Sequence, residues 1–456
     1  MASGPACELV TGWGRGSRSV AHMTRVVSQE HLQRTVEASG TSSTPLLSRG
    51  LGRSYGDAAQ CAGGTVIDCT ALDRVVATDF ERGTLRVEAG ISLDAVLSLT
   101  VPNGWFIAVT PGTRQVTIGG AVAADVHGKN HHHDGTFSAH LERISVVSSN
   151  GRTEASSVEQ PEIFWATAGG MGLTGAIATA ELRLMPIETS LMLVDTDRAG
   201  DLDECMASLA ASDDRYRYSV AWLDCGARGD KLGRSVLTRG DHARLSDLPA
   251  RRRHRALDYR PARPRSVPGA SPVNLLGAAA VRGANELWYR KAPVHRSGEL
   301  QSIAKFFYPL DAISNWNLLY GPRGFTQYQF VVPFGAEATV REVIERLQAA
   351  RAVPALGVLK RFGRSGPAPL SFPMPGWTLA LDLPLGARAV APVLDELDEL
   401  VAAAGGRVYL AKDGRLRPEL LRVMYPRLGE WLELREKADP AGIFASDLAR
   451  RLSITG

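Results

Sequence analysis

The sequence predicts an α+β fold in two domains, and three observations lead there. At 456 residues the chain is long for a single core, which favours two or three domains. Between positions 44 and 112, short apolar or alternating runs are divided by turns, with one helical stretch among them. From about Thr189 the texture changes to longer aromatic-rich runs alternating with amphipathic helices, and a strongly helical tail follows. We therefore expect a first domain at 1–190, a second at 191–404 and a return of the chain to the first at 405–456.

Composition narrows the function classes. A net charge of +4 with no basic module argues against a nucleic-acid partner. The five cysteines, Cys7, Cys61, Cys69, Cys205 and Cys225, include no CxxC pair and suggest a reducing, cytoplasmic setting. The first twenty residues show no apolar core of a signal peptide, and no run approaches the roughly 18 apolar residues that span a bilayer. Any membrane association is thus expected at the surface.

The elements justify the fold class in turn. TPLLSR at 44–49 reads as a buried strand that empties into the loop GLGRSYGD at 50–57. That loop has GxGxxxG spacing where a dinucleotide fingerprint needs GxGxxG, and no crossover helix follows. Gly52-Arg53-Ser54-Tyr55-Gly56 matches GxSxG, yet the helix that a nucleophile elbow requires is missing too. What remains is a glycine loop whose successive backbone amides can hold a diphosphate. TVIDCT, RVVATDF, TLRVEAG and FIAVTPG then read as strands, with SLDAVLSLTVPNG as the helix before the last.

The stretch at 110–134, TPGTRQVTIGGAVAADVHGKNHHHD, organises the first domain. Thr117 precedes Gly119-Gly120 at the head of a small-residue helix, AVAADVHG, whose free amides and dipole would suit an anionic or electron-rich ligand. A hairpin around Asn150-Gly151 follows, and then Gly170-Met171-Gly172-Leu173-Thr174-Gly175, which lies in the wrong order for a Rossmann turn and reads as a second glycine approach to the same ligand. Beyond Thr189, YRYSVAWLD, AKFFYPLD, TQYQFVVPF and WTLALDLPL read as strands, and 335–352 and 391–406 as amphipathic helices. The Arg- and Pro-rich segment near 246–275 reads as a mobile surface loop suited to solvent or to anionic lipid.

Several residues could carry chemistry. His127 and His131 have the spacing of a helical metal pair, but no Cys or Glu completes a set, so no metal is expected. His127 and Lys129 could instead polarise a substrate hydroxyl or phosphate. Lys360 in LGVLKRFG and Lys412 in YLAKDG fall in strongly patterned runs read as strands, where a buried lysine is costly unless it meets an anion or loses its proton. Gln327 and Gln329 share one face of their strand and could bind a hydroxylated ligand.

Taken together, SRGLGRSYGD, TPGTRQVTIGGAVAADVHGKNHH, FWATAGGMGLTG, YSVAWLD, NELWYRK, GFTQYQFV, APLSFPMPGW, VYLAKDG and IFASDLARRL resemble, in order and spacing, the flavoprotein subunits of decaprenylphosphoryl-β-D-ribose 2′-epimerases. The wider family is the vanillyl-alcohol-oxidase type, whose FAD domain is built from both ends of the chain around an inserted antiparallel-sheet substrate domain. The resemblance implies non-covalent FAD. It assigns cofactor contacts to Arg49, Gly50, Leu51, Gly52, Arg53, Ser54, Tyr55, Gly112, Thr113, Thr117, Ile118, Gly119, Gly120, Ala124, His127, Gly128 and Tyr409. It implies Lys412, with His127 and Lys129, for catalysis, and Trp222, Phe307, Gln327, Gln329, Lys360, Phe362, Thr378 and Ala380 around the substrate.

The implied reaction is oxidation of C2′ of a polyprenylphosphoryl ribose to a 2′-keto sugar, in a route to cell-wall arabinan. A separate NADH-dependent short-chain reductase would complete the epimerisation, and a quinone or O2 would serve as electron acceptor. Departures fall on the substrate side: Ala380 stands where the family has cysteine, Phe307 where it has tyrosine, Val220 where it has serine and Thr378 where it has asparagine. The rival readings are a sugar or alditol oxidase, and a binding protein that keeps the fold without turnover.

Overall fold

The computed structural model describes residues 6–42, 44–267, 269, 271, 273–386 and 389–455. A four-stranded sheet opens the chain: β1 (Ala6–Thr11), β2 (Arg18–Arg25), β3 (Leu46–Arg49) and β4 (Thr65–Asp68), ordered β1-β2-β4-β3. Leu46 and Ile67 fill one face, Leu47 and Val66 the other, and the parallel β3–β4 register aims the glycine loop out of the strand end. The second sheet contains β5 (Val75–Asp79), β6 (Thr84–Glu88), β7 (Trp105–Ile107), β8 (Leu141–Ser148), β9 (Gly151–Ala155) and β10 (Ala176–Pro186). Its centre is β10, which pairs antiparallel with β6, β7 and β8.

The third sheet has eight strands, ordered β15-β11-β13-β12-β18-β19-β17-β20. They are β11 (Leu191–Ala199), β12 (Tyr218–Leu223), β13 (Ser235–His242), β15 (His295–Ser302), β17 (Phe325–Pro333), β18 (Leu356–Phe362), β19 (Gly376–Pro384) and β20 (Arg407–Val408), while β14 (Arg265–Ser266) pairs with β16 (Ile313–Ser314) apart. The amphipathic helices Glu337–Ala349 and Val390–Ala403 bury Val340, Val343, Leu347, Val393, Leu397 and Val401. The tail then crosses back to the N-terminal part of the chain, where Leu46 N in the first sheet donates to Ile443 O (2.8 Å) and Trp431 Nε1 donates to Ala166 O (2.8 Å) in the helix Pro161–Thr167.

Several local expectations are corrected. AKFFYPLD is not a strand: Ile303–Phe307 is helical because the Ser302 hydroxyl caps it by accepting from Lys305 N, and a 3-10 turn at Pro309–Ala312 follows. Lys412 is not inside a strand either. β20 ends at Val408, and Lys412 sits in a turn whose amides at 412 and 413 both donate to Tyr409 O.

The small-residue helix is shorter than expected, Ile118–Ala123. Asp125 breaks it by adopting φ 38°, its buried carboxylate accepting from Ser138 N (3.1 Å) and the Ser371 hydroxyl (2.5 Å). His127 and His131 therefore do not share a helix. Within 246–275, Ala250–Arg253 forms a helical turn and Arg265–Ser266 a short strand, whereas positions 268, 270 and 272 lie outside the described residues.

Candidate active site

A cavity of about 560 Å³ lies where the glycine loop, the 111–117 turn, the Ile118–Ala123 helix, the third sheet and the Lys412 turn meet. The two glycine-rich stretches converge closely: a Cβ on Gly50 would fall 2.2 Å from Thr117 Oγ1. Arg53 crosses between them, donating from Nε to Gln115 O (3.0 Å) while its guanidinium lies 3.8 Å over the Trp13 ring. Arg49 supports the loop from behind through Ala59 O (2.6 Å) and Thr11 O (2.8 Å).

This arm of the cavity is a nest of amides. Among the described residues, the backbone N–H groups of Leu51, Gly52, Arg53 and Ser54 donate to no protein atom, and all four residues line the cavity. The expected role of the helix head is corrected. Ile118 N donates to Ile91 O, Gly119 N to Ala89 O and Gly120 N to Thr117 Oγ1, so those amides are already taken. The helix instead presents a low wall of Gly119, Gly120, Ala123 and Ala124. Gly112 faces open space, with no atom within 4 Å of where a Cβ would stand.

The third sheet supplies the other wall through its register. Gln327, Asp382 and Leu356 lie side by side on β17, β19 and β18, as do Gln329, Ala380 and Val358, and Val331, Thr378 and Lys360. Neighbours in register share a face, so one side of the sheet carries both glutamines and Lys360 toward the cavity. Gln329 lies 3.0 Å from His127 Nε2 and donates to Thr378 Oγ1 (3.3 Å), while Lys360 Nζ is 3.3 Å from His127 Nδ1. Burial, and then the neighbouring Lys360, hold His127 well below its ordinary value, so it is a neutral imidazole.

Lys412 enters from the tail with its ammonium group 3.8 Å over the Tyr55 ring. Burial lowers it to about 7, opposed by Asp382 and reinforced by Lys360. Lys360 is lowered to about 8 by burial. Asp382, pushed up to about 6 by burial, accepts from Gln327 Nε2 (2.6 Å) and the Tyr320 hydroxyl (3.3 Å). The cavity thus has an arm of free amides for a diphosphate, a flat small-residue wall for a ring, and an end where an amine can shed its proton near neutral pH.

Most expected site residues meet here: Arg49, Gly50–Tyr55, Gly112, Thr113, Thr117, Gly119, Gly120, Ala124, His127, Gln327, Gln329, Lys360, Ala380, Tyr409 and Lys412 line the cavity. Others do not line it. Ile118 is in the core, Gly128 packs on Asn130 and Thr110, and Phe362 backs His127 at 4.7 Å between ring centroids. Thr378 is covered by Gln329. Lys129, lowered to about 7 by burial, donates its ammonium to Phe306 O. Phe307 belongs to an aromatic cluster with Phe106 and Tyr218, and Trp222 meets Trp288.

Sequence reasoning missed Asp382 and Asp311. The latter accepts from the Thr113 hydroxyl (2.6 Å) and Arg114 N (2.8 Å), which fixes the 111–117 turn. A carboxylate inside the apolar run WTLALDLPL was a readable signal for Asp382. For Asp311 there was none, since its partners lie 197 and 198 positions away.

Comparison with known proteins places this geometry. A family described as FAD binding domain matches residues 20–157, and one described as D-arabinono-1,4-lactone oxidase matches 387–452. The chain is 40% identical over 447 residues, 97% of each protein, to decaprenylphosphoryl-beta-D-ribose oxidase of Mycolicibacterium smegmatis. L-gulonolactone oxidase of Bos taurus is 28% identical over 30% of this chain and 31% of its own. In fold the chain is similar to 6-hydroxy-D-nicotine oxidase of Arthrobacter nicotinovorans, with a TM-score of 0.67 at 15% identity over 97% and 98% of the two chains. The amide nest and the small-residue wall fit FAD, and the chain is an FAD-dependent oxidoreductase of the vanillyl-alcohol-oxidase-type fold that belongs to the decaprenylphosphoryl-β-D-ribose oxidase family.

Proposed function

We propose that the protein oxidises the C2′ hydroxyl of a polyprenylphosphoryl-β-D-ribose to the 2′-keto sugar, the first half of its epimerisation to the arabinose form. The observation that carries this reading is the pair of amines, Lys412 and Lys360, both lowered by burial, in the lining of a cavity whose free-amide arm fits the FAD diphosphate. Leu51–Ser54 and the wall of Gly119, Gly120, Ala123 and Ala124 would hold FAD without a covalent bond, and the bound flavin would supply the hydride acceptor. The protein handles the rest. Lys412, as a neutral amine, takes the hydroxyl proton, while Gln327, Gln329 and Lys360 orient the sugar.

His127 keeps Gln329 and Lys360 in place through its two ring nitrogens. Lys129, Phe307, Trp222, Phe362 and Thr378 lie outside the cavity lining and act by supporting the residues that form it. The reading keeps 1–190 and 405–456 as the FAD domain and 191–404 as the substrate domain. It adds an NADH-dependent reductase for the second half-reaction and a quinone or O2 to reoxidise the flavin.

No helix among the described residues is long and apolar enough to cross a membrane. Exposed Leu287, Trp288 and Val294 beside Arg290, Lys291 and Arg296 suit peripheral contact with an anionic bilayer that presents the lipid substrate.

The D-arabinono-1,4-lactone oxidase match at 387–452 favours a second reading, oxidation of a free sugar lactone with electrons passed to O2. One experiment separates the two. The FAD-loaded protein is mixed anaerobically with farnesylphosphoryl ribose, free ribose or an aldonolactone, and flavin absorbance and products are followed. Bleaching with a keto product from the lipid-linked sugar alone supports our reading. Bleaching by the lactone, with hydrogen peroxide once air is admitted, would replace it.

A further inference from the structure

The glycine loop and the Lys412 turn approach each other with little side-chain help. Tyr55 N donates to Ala411 O (3.1 Å), and a Cβ on Gly56 would fall 1.8 Å from Asp413 O, so the two backbones are in direct contact. An aspartate follows immediately in each stretch, Asp57 after Gly56 and Asp413 after Lys412, and both are buried. One guanidinium joins them.

Arg451, in the helix Asp447–Arg451, donates from Nε to Asp57 Oδ2 (2.8 Å) and from Nη2 to Asp57 Oδ1 (2.9 Å) and Asp413 Oδ2 (2.9 Å), while Nη1 donates to Leu416 O (2.7 Å). The other oxygen of Asp413 accepts from Arg415 N and Leu416 N, both at 2.9 Å, so the whole turn is held from one carboxylate. The helix itself is fixed. Ser446 caps it by accepting from Ala449 N (3.1 Å), and Asp447 Oδ1 accepts from Ala62 N (2.7 Å) just beyond the glycine loop. A planar fork with fixed donor directions can serve two carboxylates at once; a lysine ammonium cannot reproduce that geometry.

We propose that Arg451 is a positioning residue for the oxidation: its guanidinium locks the Lys412 turn against the cofactor-binding loop and so holds the Lys412 amine over the Tyr55 ring. This deepens the proposed function and rests on Lys412 being the base. The amine and the ring come from the two loops that Arg451 clamps, so the spacing between the loops sets how much water reaches the amine. Cutting the clamp admits water, and the amine recovers its ordinary basicity. Asp57 and Asp413 are then two buried carboxylates facing each other without the shared cation.

The test compares FAD-loaded wild type, Arg451→Lys and Asp413→Asn by anaerobic single-turnover flavin reduction with farnesylphosphoryl ribose across pH 6 to 10. FAD content and thermal midpoint are measured alongside. We expect Arg451→Lys, with FAD bound, to shift the midpoint of the rate's pH profile upward by about one unit or more, a loss of about tenfold near neutral pH that closes at high pH. Asp413→Asn, which keeps the fork on Asp57, shifts it in the same direction by less and decides the matter if Arg451→Lys does not fold.

A lower thermal midpoint with an unchanged pH profile, or a rate lost equally at all pH values, would mean that Arg451 acts only as structure. Lys412→Ala run in parallel separates the two levels. If it reduces its flavin normally, the proposed function fails at its base. If it is inactive while the Arg451 and Asp413 profiles do not move, only the clamp fails.

Discussion

Lys412 is an amine that the fold holds below its ordinary basicity, and the proposed chemistry follows from that. Replacing it by alanine removes the base without touching the amide nest. We expect Lys412→Ala to retain FAD and to lose about 10²- to 10⁴-fold in the rate of flavin reduction, as a stopped-flow trace would show. Burial has a second consequence, for stability. Lys129 and Lys412 are lowered to about 7 and Lys360 to about 8, from 10.5. Their folded values lie below the unfolded ones, so from pH 7 upward the unfolded chain binds protons that the folded chain does not, and stability rises with pH. We expect the thermal midpoint of the FAD-free protein to climb between pH 7 and about 8, short of the ordinary thiol midpoint near 8.5. A flat or falling midpoint across that window would contradict the assignment of these lysines as buried and proton-poor.

At the scale of elements, the helix Ile118–Ala123 is the most exposed to a single change. It is six residues long, and its first amides are held by Ile91 O, Ala89 O and the Thr117 hydroxyl. Thr117→Ala removes the cap and should cost about 1 kcal/mol of stability, measured by denaturant unfolding, together with a weaker grip on FAD because Gly50 packs on that same threonine. These elements also show what was legible in advance. The strand, glycine loop and small-residue helix could be read because local pattern and turn chemistry agree there, and Gln327 and Gln329 share a face because a strand alternates.

AKFFYPLD could not be read correctly, since the five aromatic and apolar residues from Phe306 to Leu310 look like a strand while the deciding feature is the Ser302 cap. Lys412 was misplaced in a strand for a similar reason: VYLA is patterned like one, but β20 pairs with β17 only through Arg407 and Val408. The helix head looked free because its acceptors, Ala89 and Ile91, are distant in sequence.

For the whole molecule, the cavity is a junction of both ends of the chain with the middle. Residues 49–55, 111–117, Gly119 and Gly120 form one side, the eight-stranded sheet another, and the tail closes it at Tyr409 and Lys412. A ligand that fills such a junction stabilises every part that contributes to it. FAD at about a thousand times its Kd should therefore add about 4 kcal/mol, seen as a thermal midpoint that rises with FAD concentration; a midpoint insensitive to FAD would contradict the cavity assignment.

In the proposed function, this junction brings the C2′ carbon of a lipid-linked ribose to FAD with Lys412 beside its hydroxyl. The most direct test is anaerobic stopped-flow reduction of the FAD-loaded protein by farnesylphosphoryl ribose carrying deuterium at C2′. We expect bleaching to slow severalfold against the unlabelled sugar and the recovered 2′-keto product to have lost the label. Bleaching at the same rate with deuterium still at C2′ would contradict the proposed function.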